Sequence, residues 1–320
     1  DLVRDVFQKR LANTILNTAN DAAAIPATPP GKRLVVSTDA HIVSPLFFAG
    51  GDIGRLAVCG TVNDVAMLGA EPRYLTATFI LEEGFSIEEL ERIVDSFAEA
   101  CREAGVELVA ADTKVTEKGK SDKLYISTTG IGWVESALQI GGEQAMPGDA
   151  VIISGPVGNH GIAVAEARGN LGFSSQVCSD TAPLNHMVKA LLDTDLDVHV
   201  LRDPTRGGLA TTLVEIVRQS QISIELDEEN IPIDKPVRKT CELLGLDPLY
   251  LANEGKLIVI LPAEQAPAAL RVLRGQKYGE GACVIGRVYE SSRNQLWLKT
   301  AFGTTRVLEM LAGEMLPRIC

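Results

Sequence analysis

The sequence has no apolar run near the roughly 20 residues that a membrane-spanning helix needs. Its longest apolar runs, such as Leu257–Leu261, are strand-sized. Basic residues are scarce: 30 Lys and Arg stand against 42 Asp and Glu, a formal net charge of −12. That deficit argues against a general nucleic-acid binder, which needs a basic face, and against docking on anionic lipid. Six cysteines lie at positions 59, 101, 178, 241, 283 and 320, and no two form a C-x-x-C pair. Thiols so widely spaced read as free cysteines of a reducing cytoplasm, not as a disulfide framework or a zinc site. Asp1–Asp5 has no basic stretch followed by an apolar one, so no secretion signal is expected. Low-complexity tracts and short-period repeats are also missing. What is present is ordinary for a folded protein: 320 residues, 46% hydrophobic and 22% charged, enough for about two domains.

Periodicity and punctuation divide the chain. Residues 1–20 carry apolar side chains at helical spacing, and a proline-rich loop follows over 22–31. A short strand is predicted over 33–39 and a small-residue helix over 54–69. The clearest helix spans 86–104: Ser86 and Glu89 form a capping box, Leu90, Val94, Phe97 and Cys101 its buried stripe, and Gly105 the stop. Strands are predicted at 106–111 and 124–132. A boundary falls near Ala145–Asp149, after which strand and helix alternation restarts at 150–155. Further helices are predicted at 160–168, 184–192, 207–219 and 236–244, and further strands at 198–201, 222–226, 256–261, 283–289 and 295–299. The pattern predicts a mixed α/β (α+β) chain of two domains, 1–145 and 146–308, followed by an aperiodic tail over 309–320 that ends on Cys320.

Several residues could carry chemistry. Asp39 closes Val35–Asp39, Asp64 lies beside Asn63 in Thr61–Val65, and Asp112 closes Leu108–Asp112 ahead of Thr113 and Lys114. Carboxylates at strand ends sit at the rim of a sheet, where open α/β folds bind ligands. Converging there, they would hold Mg²⁺, a hard cation that takes oxygen ligands and substrate phosphates; each alone could equally cap a helix or turn. In Arg202–Gly208 a strand feeds a turn and two glycines open a helix, so the backbone could approach a phosphate with Arg206 as a clamp. The spacing is not that of a P-loop, and a plain strand–turn–helix link fits as well. His160, in Gly158–Gly161, could be a general acid/base or simply a helix-start residue. Glu254, in Asn253–Lys256, could be a general base or a turn acid. Cys320 follows Pro317, which stiffens the tip, and Arg318, which is expected to offset in part the rise in thiol pKa caused by the terminal carboxylate. Twelve extended residues span up to about 40 Å, so such a thiol could be delivered into a pocket.

In this order, Ser37–Asp39, Val62–Val65 with Gly69–Pro72, Asp112–Lys114 and Asp203–Gly208 resemble the aminoimidazole-ribonucleotide-synthetase-like (AIR synthase-like, PurM-like) ATP-dependent superfamily. Ser44–Gly51, Ala252–Lys256 and Pro317–Cys320 resemble, within it, the hydrogenase maturation factors of the HypE family. The likeness runs along essentially the whole chain. Family members also carry a short glycine-rich segment ahead of the first helix, and this sequence opens within that helix, so part of the phosphate site has no residue to name.

The resemblance implies a two-domain PurM-like fold. The N-terminal domain would bind ATP and build a barrel-like core in a homodimer, with the nucleotide sites at the seam. Mg²⁺ and ATP are the implied cofactors, held by Asp39, Asn63, Asp64, Asp112, Thr113 and Asp203, with Asp39, Asp64 and Asp112 on the metal. HypF would carbamoylate Cys320, and the chain would dehydrate that group to a thiocyanate with ATP. The cyanide would pass to iron on a HypC–HypD complex. Lys114 and Arg206 would stabilise the transferred phosphoryl group, and Glu254, or else His160, would take the nitrogen's proton. Two alternatives stay open: another small-molecule enzyme of the superfamily, of the thiamine-monophosphate kinase or selenophosphate synthetase type, and a non-catalytic thiol carrier.

Overall fold

The computed structural model describes residues 2–18, 22–169, 175–311 and 313. Cys320 and the last part of the tail lie outside the described residues. The N-terminal half is an open four-stranded sheet with two helices on one face. Its elements are β1 (Lys32–His41), α1 (Ile53–Met67), β2 (Glu71–Glu82), α2 (Ile87–Ala104), β3 (Glu107–Thr116) and β4 (Leu124–Glu135). The strand order is β1-β4-β2-β3, antiparallel except for the β2–β3 pair.

Helix α2 forms as its sequence prescribes. Ser86 Oγ accepts the Glu89 amide at 3.3 Å, and Gly105 ends the helix at a φ of 70°. Its apolar stripe packs on α1 and the sheet, with Phe79 between Phe7 and Phe97 at centroid distances of 4.8 and 5.5 Å. The opening helix is shorter than its periodicity predicts: it ends at Leu11. Asn13 breaks it, because its side-chain oxygen accepts the amides of Ile15 and Leu16, a local alternative to helical bonding.

The C-terminal half holds a seven-stranded mixed sheet. Its elements are β5 (Asp149–Ile153), α3 (Asn159–Ala167), α4 (Asn185–Leu192), β6 (Val200–Arg202), α5 (Gly208–Ser220), β7 (Ser223–Asp227), α6 (Lys235–Leu244), β8 (Ile258–Pro262), α7 (Ala266–Arg274), β9 (Cys283–Tyr289), β10 (Leu296–Lys299) and β11 (Thr305–Leu308). The order is β11-β10-β7-β9-β5-β8-β6, with only β10 and β7 parallel. Its central strands are apolar on both sides because separate cores lie on the two faces. Ala66 and Met67 of α1 belong to one of these cores, so the two halves share apolar packing.

Beyond the shortened first helix, the structure departs from the sequence reading in β2, α7 and β11, which the patterning does not predict, and in the ends of two strands. Strands β1 and β3 run past Asp39 and Asp112, so neither acid ends its strand. Within one chain the N-terminal sheet stays open; the barrel-like core is expected only across a homodimer. One face of that sheet is covered by α1 and α2. The other presents Leu34, Val36 and the Trp133 row to the outside.

Candidate active site

The pleat decides which acids can meet. Asp39 registers with Thr128 of β4, Thr128 with Ala77 of β2, and Ala77 with Ala111 of β3. Directly opposed residues point to the same face, and Ala77 belongs to the core under the helices. Asp39 therefore points to the helix-covered face, one position out of phase with Asp112. Asp112 registers with Thr78, so it and Lys114 point to the open face. Two strands also lie between β1 and β3, a separation of about 14 Å. The triad of Asp39, Asp64 and Asp112 is thus not assembled within one chain. Lys114 pairs with Asp112 at 3.0 Å, and its side chain is 70% exposed. Thr113 lies beside them, its amide donating to Asp112 Oδ1.

A different set of acids does converge. Asp39 and His41 from β1, Gly60 and Asp64 from α1, Asp203, Thr205 and Arg206 from the loop after β6, and Glu254 from the approach to β8 line one cavity of about 230 Å³. Gly60 permits this close approach: a Cβ there would lie 3.0 Å from the His41 ring and 3.5 Å from Asp39 Oδ2. Asp64 accepts the Ser37 hydroxyl at 2.7 Å. Glu254 is held by its backbone, its amide donating to Asp180 Oδ1 at 3.1 Å and its carbonyl accepting the Ala182 amide at 3.2 Å. Asn253 secures the same segment, donating to the carbonyls of Pro204 and Leu251 and accepting the Gly158 amide.

The carboxyl groups of this cavity are short of partners. Among the described residues neither Glu254 Oε1 nor Asp203 Oδ2 meets a hydrogen-bond donor. Burial, reinforced by the Asp64 charge, pushes Asp203 up to about 7. Burial also raises Glu254 well above the ordinary carboxylate range, with Asp203, Asp180, Asp39 and Asp64 adding to it. Asp64 is raised by burial against the opposing Ser37 bond. His41 is lowered by burial despite the charge of Asp39. A cluster of acids, one buried and three half-buried, with unspent oxygens at Glu254 and Asp203 suits a hard cation. No three His, Cys, Asp or Glu side chains among the described residues are arranged to hold a metal ion, so a hard cation here would need further oxygen ligands from a bound phosphate and water.

This cavity opens beside a cleft of about 1210 Å³ between the two halves, which shares Asp64, Asp203, Thr205 and Arg206 with it. The last described residues of the tail, Met310, Leu311 and Gly313, line the same cleft. The strand–turn–helix reading of 202–208 explains its second glycine. A Cβ on Gly208, whose φ is 62°, would lie 2.5 Å from the Leu251 carbonyl, so this glycine serves packing against 249–251.

Two expected residues sit elsewhere. Asn63 donates to the Ala182 carbonyl and accepts the Leu184 amide, so its amide ties α1 to the C-terminal half. His160 is fully buried, hydrogen-bonded to Ser179 Oγ at 2.8 Å and edge-on to Phe48, and it does not line the acid cavity. Sequence patterning does not single out His41 or Asp180. Asp180 pairs with Lys256 at 3.1 Å behind Glu254. It lies in irregular chain, where neither spacing nor periodicity marks it.

Models of the AIR synthase related protein family match residues 19–134 for the N-terminal domain and 146–299 for the C-terminal domain. The chain is 52% identical over 319 residues to the carbamoyl dehydratase HypE of Cupriavidus necator, covering 100% of this chain and 91% of that protein. The chain belongs to the HypE family of AIR-synthase-related proteins. The HypE of Escherichia coli is 41% identical, with 100% of this chain and 95% of that protein covered. Among solved structures, a HypE in complex with ATP superposes with a TM-score of 0.95 at 52% identity, covering 100% of this chain and 96% of that one. A HypE from a HypE–HypF complex gives 0.84 at 44% identity, covering 97% and 99%. The thiamine monophosphate kinase of Aquifex aeolicus shares the fold at 19% identity and a TM-score of 0.66, covering 95% and 97%.

Proposed function

We propose that this chain is an ATP-dependent carbamoyl dehydratase of [NiFe] hydrogenase maturation. It would convert an S-carbamoyl group on Cys320 to a thiocyanate. The observation that carries this reading is the cavity of partner-starved acids opening into the cleft that the root of the Cys320 arm lines. The kinase-like and carrier alternatives leave one half of that pairing without a use. Family membership and the ATP complex of a relative support the choice of reaction.

The chemistry needs an oxygen to leave an amide carbon. The carbamoyl oxygen attacks the γ-phosphorus of ATP; the new O–P bond forms as the bond to ADP breaks. The C–O bond then breaks with phosphate as leaving group, and the nitrogen gives up both protons as the C≡N bond forms. Asp39, Asp64 and Asp203 would hold Mg²⁺, which when bound offsets the charge of the polyphosphate. Arg206, on the rim of both cavities, faces the transferred group. Glu254 takes a proton from nitrogen: a buried carboxyl with a raised pKa is the stronger base once ionised. The backbone bonds to Asp180 and Ala182 fix where that carboxyl stands. Burial of the arm in the cleft would keep water from the thiocarbamate.

Asp112, Thr113 and Lys114 act in this scheme only across a homodimer. The open face of the N-terminal sheet, with Leu34 and Val36 each more than half exposed, is the surface we assign to the second copy. HypF, found in a solved complex with a HypE, is the proposed donor of the carbamoyl group, and HypC–HypD the proposed acceptor of cyanide. No helix among the described residues is long and apolar enough to cross a membrane, and Cys59, Cys101, Cys178, Cys241 and Cys283 are free thiols, which suits a cytoplasmic reaction.

The test is the mass of the C-terminal peptide after incubation with HypF, carbamoyl phosphate and Mg-ATP. A carbamoyl adduct on Cys320 that then loses one water supports the reading. An unmodified Cys320 with ATP still hydrolysed overturns it in favour of a small-molecule kinase.

A further inference from the structure

Dehydration of a group carried on the chain's own tail depends on where that tail starts. The last strand, β11, ends at Leu308, and the next residue is pinned. Tyr250 Oη donates to the Glu309 carbonyl at 3.0 Å and accepts the Glu309 amide at 3.3 Å. One side chain thus satisfies both backbone groups of one residue, as a strand partner would. A second tie lies just upstream: Arg306 of β11 pairs at 2.7 Å with Asp247, which also caps the turn over 248–250 by accepting the Leu249 amide. Past the clamp, Met310 rests against the C-terminal core, and Met310, Leu311 and Gly313 line the cleft that shares Asp64, Asp203 and Arg206 with the acid cavity.

Tyr250 stands four residues before Glu254 in one pinned segment. Residues 249–251 press on Gly208, where no Cβ would fit, and Asn253 fixes the segment to Pro204 and Gly158. The root of the arm and the carboxyl that faces its cargo are therefore held by the same piece of backbone.

We infer that Tyr250 is a positioning residue: its hydroxyl clamps Glu309 and sets the pivot from which residues 310–320 carry Cys320 to Glu254. The inference rests on the proposed dehydration. From a pivot at Glu309, eleven residues reach at most about 40 Å. A fixed root keeps the effective concentration of the terminal thiol in the cleft high, and a loosened root spreads the same tip over a larger volume.

Tyr250→Phe keeps the ring and removes both hydrogen bonds. Full-length protein is loaded at Cys320 with cyanate, which adds a carbamoyl group to the thiol, and single-turnover loss of water is followed by the mass of the C-terminal peptide. In the variant this rate falls about tenfold, given two lost hydrogen bonds. In parallel, full-length Cys320→Ala protein, with and without Tyr250→Phe, acts on a synthetic S-carbamoyl peptide of residues 313–320, and that rate does not fall. Amide hydrogen exchange at 309–311 rises in Tyr250→Phe while 305–308, held by Arg306, keeps its protection. An unchanged rate on the attached group, or equal falls for attached and free substrates, overturns the clamp. If the parent protein dehydrates neither substrate, the functional reading fails, and the exchange at 309–311 still decides whether Tyr250 holds the root.

Discussion

Two glutamates of this chain live opposite lives. Glu103, at the end of α2, is surrounded by donors: Arg55 at 2.8 Å, Lys277 at 2.6 Å and the Tyr278 hydroxyl at 2.6 Å. Burial alone would raise it, but these three together hold it down to about 2. Glu254 has its backbone pinned and its carboxyl left without a donor at Oε1, and burial drives it well up. The first glutamate joins the two halves, since Arg55 and Glu103 come from the N-terminal layer and Lys277 and Tyr278 from the C-terminal one. The second keeps a buried oxygen unspent. Acids that the fold satisfies are structural; acids that it starves are available to a ligand.

Glu254→Gln should sharpen the contrast most. Dehydration should fall by 10²–10⁴-fold, the usual reach of a general base, while Cys320 is still carbamoylated. Thiocyanate formed at the parent rate in that variant removes Glu254 from the proton transfer.

Asp203 gives the next effect. Its folded pKa, about 7 against an ordinary 3.8, means that the folded protein keeps a proton that the unfolded chain releases. Stability from this group is present at acid pH and is lost as pH rises from about 4 to about 7. Free of nucleotide and metal, Asp203→Asn should be more stable than the parent at pH 8 by about 1–3 kcal/mol, and the two should converge below pH 4. Urea unfolding at several pH values checks this; parallel stability curves break the comparison.

The smallest effect on catalysis belongs to Glu103→Gln. Losing these partly exposed ion pairs should cost about 1–2 kcal/mol of stability and leave the single-turnover rate within about twofold, a figure below the tenfold step of 1.4 kcal/mol. A large rate loss with unchanged stability would place the join between the halves inside the reaction itself.

Much of this was open to inspection in the linear chain. Ser86, Glu89 and Gly105 announce α2 because capping is local chemistry. Strand β2, the inner partner of β3, is easy to overlook, since it begins at Glu71–Pro72 and a register shift follows before Tyr74. Yet Leu75, Ala77, Phe79 and Leu81 alternate as a half-buried strand should. The tail and its terminal thiol are visible by composition alone; the hydroxyl that holds Glu309 is not, because Tyr250 and Glu309 are separated by a strand-rich stretch of 59 positions.

The sequence by itself determined which residue types were available: the carboxylates of Asp39, Asp64, Asp203 and Glu254, the guanidinium of Arg206 and the terminal thiol of Cys320. Tertiary structure decided which of them meet. Asp39 and Asp112 each follow a short β-prone segment and look alike in one dimension. The pairing of β1 with β4, β4 with β2 and β2 with β3 puts them on opposite faces, because a pleat turns every second side chain away and register is fixed by partners far off in sequence. The same packing leaves one carboxyl oxygen each of Asp203 and Glu254 buried without a donor among the described residues, and burial is a property of the fold, not of any residue in it.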